Sequence, residues 1–213
     1  MLGTNARIFF TEFLATAAQE TVYPCASISH YLPWWYSDKA VWEDLAGDGA
    51  DLYLRETGFS RQDGLSIFTW GNMRHDYPLA LLLACFVENR GGSEAFAHLE
   101  NGEGTELRQV VPQIWEELGY GDYAAFIEDF LLSILLHEED GPYRLRPFEG
   151  YDPALCGGEE NPFSHLAPII TDKGLRIRAG GYTVIRPVGG VYVPPASASE
   201  ELCYVGITWK TDT

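Results

Sequence analysis

Residues 122–142 read Asp122-Tyr123-Ala124-Ala125-Phe126-Ile127-Glu128-Asp129-Phe130-Leu131-Leu132-Ser133-Ile134-Leu135-Leu136-His137-Glu138-Glu139-Asp140-Gly141-Pro142. Phe126, Ile127, Phe130, Leu131, Ile134 and Leu135 recur three and four positions apart, the period of one helix face. Leu132 and Leu136 add apolar surface on another side. Asp122 stands where it can cap the first turn, so a helix is expected from Asp122 to about residue 138. A helix apolar nearly all round is either central in its domain or half of a dimer interface, and the pattern leaves both open.

Upstream the chain keeps this helical character. Leu107, Val110, Val111, Ile114 and Leu118 form a stripe within residues 105–120, with Glu106, Gln109, Gln113, Glu116 and Glu117 opposite it. Pro112 removes one hydrogen bond there and predicts a kink or break. Gly119 and Gly121 end that helix. An apolar run predicts a buried helix over residues 77–88, and Ile8, Phe9, Phe13, Leu14 and Ala17 an amphipathic one over 7–19. Asp38 can cap another helix carrying Val41, Trp42 and Leu45, whereas residues 64–70 are β-rich.

After Asp140 the composition changes. Gly141-Pro142, Pro147, Gly150, Pro153, Gly157-Gly158 and Pro162 punctuate a loop-rich stretch, followed by short β-type runs at 167–171, 174–179, 182–186, 191–193 and 202–209. Thr171-Asp172-Lys173-Gly174 reads as a tight turn joining two of them in a hairpin. The expected fold class is therefore α+β: an acidic, mainly helical body over residues 1–140, then a small β-rich C-terminal region over 141–213, packed on the body or separate from it.

Charge follows the same boundary. The net charge is −17. Residues 1–140 hold 23 Asp/Glu against 7 Lys/Arg, a net of −16, and residues 141–213 hold 8 against 7, a net of −1. Such a field repels nucleic acid and anionic lipid and attracts cationic partners. With 46% hydrophobic and 14% aromatic residues, the chain can still fill a core. The longest apolar run, residues 78–87, is about half the roughly 20 residues that a bilayer span requires. Together with an N-terminus that lacks a signal-like pattern, this leads to the expectation of a cytoplasmic, bacterial-type protein. Cys25, Cys85, Cys156 and Cys203 are scattered, so isolated reduced thiols are expected, with a disulfide between two of them left open.

Glu88-Asn89-Arg90-Gly91-Gly92, Phe96, Asn101-Gly102, Leu118-Gly119 and Tyr123-Ala124 carry a resemblance. Residues 80–131 resemble a family of small acidic bacterial proteins that includes a DNA-mimic protein. The family has an aromatic directly after its glycine pair, where this chain has Ser93, and Asn101 is displaced from the usual spacing. The resemblance implies a regulator that presents carboxylates where phosphates would lie and so occupies a DNA-binding protein. A second, shorter stretch, Thr171-Asp172-Lys173-Gly174-Leu175-Arg176-Ile177 through Tyr182, Gly189 and Pro194, looks like the C-terminal module of an anti-sigma factor family whose module can bind lysozyme. That too implies a basic protein as partner.

The residues themselves point the same way. Between Glu88 and Asp140 there are 13 acids, opposed by Arg90 and Arg108 alone. Duplex DNA carries one charge per roughly 1.7 Å of axis, so a protein competes for its binders only with dense carboxylates on rigid elements. The alternative is a solvated face that keeps the chain in solution. Glu88, Glu94, Glu100, Glu103, Glu106, Glu116, Glu117 and Asp122 are the candidate partner-binding acids. Trp34 and Trp35, in Pro33-Trp34-Trp35-Tyr36, are candidate aromatic anchors or core residues. No hydrolase or phosphate-loop motif is present. His137-Glu138-Glu139-Asp140 offers metal-ligand types, but neighbours at a helix end rarely converge on one ion. The expectation is a non-catalytic binder of a basic protein, without cofactor or metal: a DNA-mimic-like regulator, or an immunity-type inhibitor of a cationic toxin or enzyme. It engages neither nucleic acid nor membrane directly, and a homodimer is possible. A hydrolase or metal enzyme with a motif-free carboxylate site is the competing class.

Overall fold

The computed structural model describes residues 4–31, 73–99, 114–156, 160–163, 170–171, 184–185 and 204–207. Helix α1 spans Thr4–Val22, α2 Met73–Gly91 and α3 Tyr123–Leu136, with a 3-10 helix over Ser93–His98. Residues 114–117 form a further helical turn. The helix capped by Asp38, the β-rich stretch at 64–70, residues 105–113 with Pro112, the Trp34/Trp35 cluster and most of the expected C-terminal strands lie outside the described residues.

Helix α2 is the centre. From Leu79 to Val87 every side chain is at most 4% exposed, a helix enclosed on all sides. Helix α1 packs on it through Phe10, Phe13, Ala17 and Glu20, one face at three- and four-residue steps. Helix α3 contributes Phe126, Phe130 and Ile134 to the same core, and Phe86 meets Phe126 and Phe130 edge-on at 5.9 and 5.2 Å. Of the two readings of α3, these contacts favour the central one. Leu132 and Leu135 are buried as well, and Ile127, Leu131 and Leu136 are half-covered.

The helix ends follow the expected chemistry. Asp122 caps α3 by accepting from the Ala125 N–H at 2.8 Å. After residues 114–117, the Gly119 and Tyr120 amides bond back to the Glu116 and Trp115 carbonyls, with Gly119 at φ +78. That is a Schellman-type stop, which favours glycine because a side chain resists positive φ.

The α+β expectation is corrected. Among the described residues the chain is predominantly helical, and no β-rich C-terminal region is found. The strand pairing described is two residues long, Ile170–Thr171 against Val184–Ile185, and it is parallel. The hairpin expected around Thr171-Asp172-Lys173-Gly174 would pair residues 167–171 with 174–179, which lie for the most part outside the described residues. Residue-type alternation marks segments able to form strands, but a ladder also needs uninterrupted partners. Gly180, Gly181, Pro187, Gly189 and Gly190 interrupt this part of the sequence.

The cysteine expectation changes too. Cys25 and Cys156 are bridged, with Cα atoms 5.2 Å apart, across a separation of 131 residues. Cys85 is a free thiol inside α2, and Cys203 lies outside the described residues. No helix among the described residues is long and apolar enough to cross a membrane.

Candidate partner-binding surface

The C-terminal end of α2 organises the surface around it. Its last polar residues hold an arm, residues 137–156, that leaves α3 at His137 in the left-handed region (φ 34) and folds back. The Asn89 side chain pairs with the Arg146 backbone twice, accepting from its N–H at 2.8 Å and donating to its C=O at 3.0 Å. Glu88 accepts from the Glu149 N–H at 3.3 Å. Arg90 donates to Asp129 at 3.3 and 3.4 Å, to Ser133 Oγ at 3.1 Å and to the carbonyls of Pro142 and Arg144. Its guanidinium also lies 4.8 Å from the Phe86 ring centroid. Arg144 donates to the Asn89 carbonyl, and Tyr120 donates its hydroxyl to Asp129. Beneath these bonds Leu145 and Phe148 are buried, and Phe148 stacks on Phe96 at 6.1 Å.

Gly91 sits at the tightest point. A Cβ there would lie 2.8 Å from Ala95 Cβ and 3.0 Å from Leu118 Cδ2. The 3-10 helix and the turn at 114–118 therefore both converge on the end of α2.

The candidate acids divide there. Glu94, Glu116 and Glu117 are exposed, on the 3-10 helix and the adjoining turn. Asp122 is exposed but occupied as the α3 cap. Glu88 is turned toward the arm and bonds Asn89 and the Glu149 N–H, so it is an internal fastening. Glu100, Glu103, Glu106, Trp34 and Trp35 lie outside the described residues. Asn89, Asp129, Tyr120 and Arg144 form the network that sequence reasoning did not assemble. Apart from the Tyr120–Asp129 bond, which spans 9 residues, its bonds cross separations of 39 to 57 residues, which leave no local signal.

Other polar groups of the core are held in quiet protonation states. Burial pushes the Tyr120 hydroxyl up to about 12, and its bond to the Asp129 carboxylate adds to the shift, so it stays protonated near neutral pH. Burial raises the Cys85 thiol well above its ordinary range, reinforced by Glu20 and Glu88. Burial also lowers His137, against the opposing carbonyls of Ile134 and Leu135. Glu20 is fully buried and accepts from the Ser27 and Ile28 amides, yet burial still raises its pKa. Among the described residues no cluster of His, Cys, Asp and Glu is arranged to hold a metal ion. A groove of about 300 Å³ runs between α1 and the 3-10 helix, lined by Leu14, Ala17, Ala18, Thr21, Phe96 and Ala97; it lacks the convergent polar groups of a small-molecule site. No protein-family model, curated protein or solved structure matches this chain.

Proposed function

We propose that this protein acts without catalysis, by binding a basic protein partner through carboxylates grouped around the end of α2. One observation carries the reading: Arg90 and Arg144 are turned inward while Glu94, Glu116 and Glu117 face outward. Arg90 is tied to Asp129, Ser133 and two carbonyls, and Arg144 to Asn89. Glu94, Glu116 and Glu117 are consequently left facing solvent, with no ion pair to a Lys or Arg among the described residues. Uncompensated charge on packed elements steers a cationic partner and speeds association, while salt weakens the effect.

Between the two kinds of partner, the bridge between Cys25 and Cys156 favours the inhibitor of a cationic toxin or enzyme over the DNA-mimic-like regulator. Disulfides persist in oxidising compartments, whereas DNA-binding regulators work in reducing ones. The same bridge weighs against the cytoplasmic setting expected from the sequence. The resemblance of residues 171–194 to a lysozyme-binding module also implies a cationic partner.

The deciding experiment is affinity capture at low salt with elution at high salt and identification by mass spectrometry. The expected result is one basic protein that duplex DNA does not displace. Displacement by duplex DNA would return the reading to the DNA mimic. Failure of any basic protein to bind in a salt-dependent manner would remove the binding reading.

A further inference from the structure

The arm on the end of α2 is held by two unlike fastenings. Its first part, residues 138–149, is secured by the Glu88, Asn89 and Arg90 bonds and by burial of Leu145 and Phe148. Its last part buries little. Glu149, Gly150, Asp152, Ala154 and Leu155 are exposed, Leu155 at 79%. Tyr151 still packs against the core and Phe163 is buried in it, so residues 152–156 form a bare stretch between two anchors, tied to the α1 exit by the Cys25–Cys156 bridge and a long contact at 3.5 Å from Ser29 Oγ to the Cys156 carbonyl. On the other side of the bridge, the start of the α1 exit is equally bare, with Val22 65% and Tyr23 68% exposed, before Ser27 and Ile28 are buried with their amides on Glu20. Both bridging cysteines are only half-buried.

We propose that the Cys25–Cys156 bridge is a redox-sensitive clasp: a dithiol reductant opens it and releases residues 152–156 together with residues 23–26 at the α1 exit, while the rest of the arm stays docked. The exchange balances as a two-electron, two-proton transfer. A reductant thiolate attacks one bridge sulfur, the Sγ–Sγ bond breaks, and the other cysteine leaves as a thiolate that takes up a proton. The second reductant thiol then displaces the first cysteine, leaving two protein thiols and a disulfide on the reductant. Cys85 does not compete, because it is fully buried within α2 and its thiol resists ionisation. Opening the clasp loosens residues 152–156 between Tyr151 and Phe163 without breaking the Asn89 and Arg90 bonds, since those lie at the opposite end of the arm.

The test is made on the full chain in two steps. Peptide mapping after alkylation under non-reducing, denaturing conditions is expected to yield a cross-linked peptide containing Cys25 and Cys156. Finding those two thiols free, or bonded to Cys203, overturns the proposal. Hydrogen exchange is then followed before and after dithiothreitol. The amides of Ala26, Ser29, Leu155 and Cys156 are expected to exchange about tenfold faster or more after reduction, and those of Leu145 and Arg146 to remain unchanged. Acceleration across α2 and α3 as well would show a staple for the entire fold and overturn the clasp, as would no acceleration anywhere. Reduction of the native protein gives this answer even if C25S/C156S does not fold.

Discussion

Gly91 closes α2 where a Cβ would come within 2.8 Å of Ala95 Cβ and 3.0 Å of Leu118 Cδ2. Neither neighbour can swing away, because Ala95 has no rotamer freedom and Leu118 packs against the core. Gly91→Ala is expected to lower unfolding free energy by about 1–3 kcal/mol, seen as an earlier urea midpoint with an unchanged slope. Glu20 poses the opposite case, a residue that the fold tolerates at a cost. Its folded pKa is raised above 4.5, so the native state holds its proton more tightly than the unfolded chain does. Stability therefore falls as pH rises from the unfolded carboxylate range through the folded value, and the loss is complete above it. Glu20→Gln keeps an oxygen for the Ser27 and Ile28 amides and removes the charge. It is expected to melt higher than the parent at neutral pH and to flatten this part of the stability–pH curve. A parent more stable than the variant at neutral pH would show the buried charge to be favourable.

The three helices follow from periodicity and end chemistry. Phe126, Phe130 and Ile134 mark α3 by spacing, and Asp122 starts it through the bond to the Ala125 amide. Asp122 is exposed and packs on nothing that truncation would empty, so Asp122→Ala is expected to cost about 1 kcal/mol through loss of the cap alone, measured by denaturant unfolding. The extended part of the chain did not yield to the same reading. Alternation of Leu175/Ile177 with Arg176/Arg178 satisfies a strand pattern. Those residues lie outside the described ones, and the pairing described joins Thr171 to Ile185 in parallel, a partner that alternation alone does not name. A helix closes its hydrogen bonds within its own segment, so its sequence is sufficient evidence for it. A strand needs a partner that its own residues do not name. The arm shows a similar limit, because the pair of hydrogen bonds between Asn89 and Arg146 spans 57 residues.

For the molecule as a whole, the governing quantity is a net charge of −17 with 13 acids between Glu88 and Asp140. If the exposed part of this charge recruits a partner, reversing Glu94, Glu116 and Glu117 to Lys should abolish salt-sensitive capture of a basic protein. Each exposed substitution should shift stability by no more than about 0.5 kcal/mol. Capture unchanged in a folded triple variant would separate the acidic face from function. Composition, the charge boundary at residue 140 and the apolar periods of α1, α2 and α3 were determined by the sequence alone, because each is a property of neighbouring residues. Which acids face solvent was decided only by the tertiary structure. Glu88 and Glu94 stand six positions apart in the same acidic run, yet one fastens the arm and the other is exposed. The inward turn of Arg90 and Arg144 and the meeting of Cys25 with Cys156 were decided in the same way, because packing brings together groups that lie 39 to 131 residues apart along the chain.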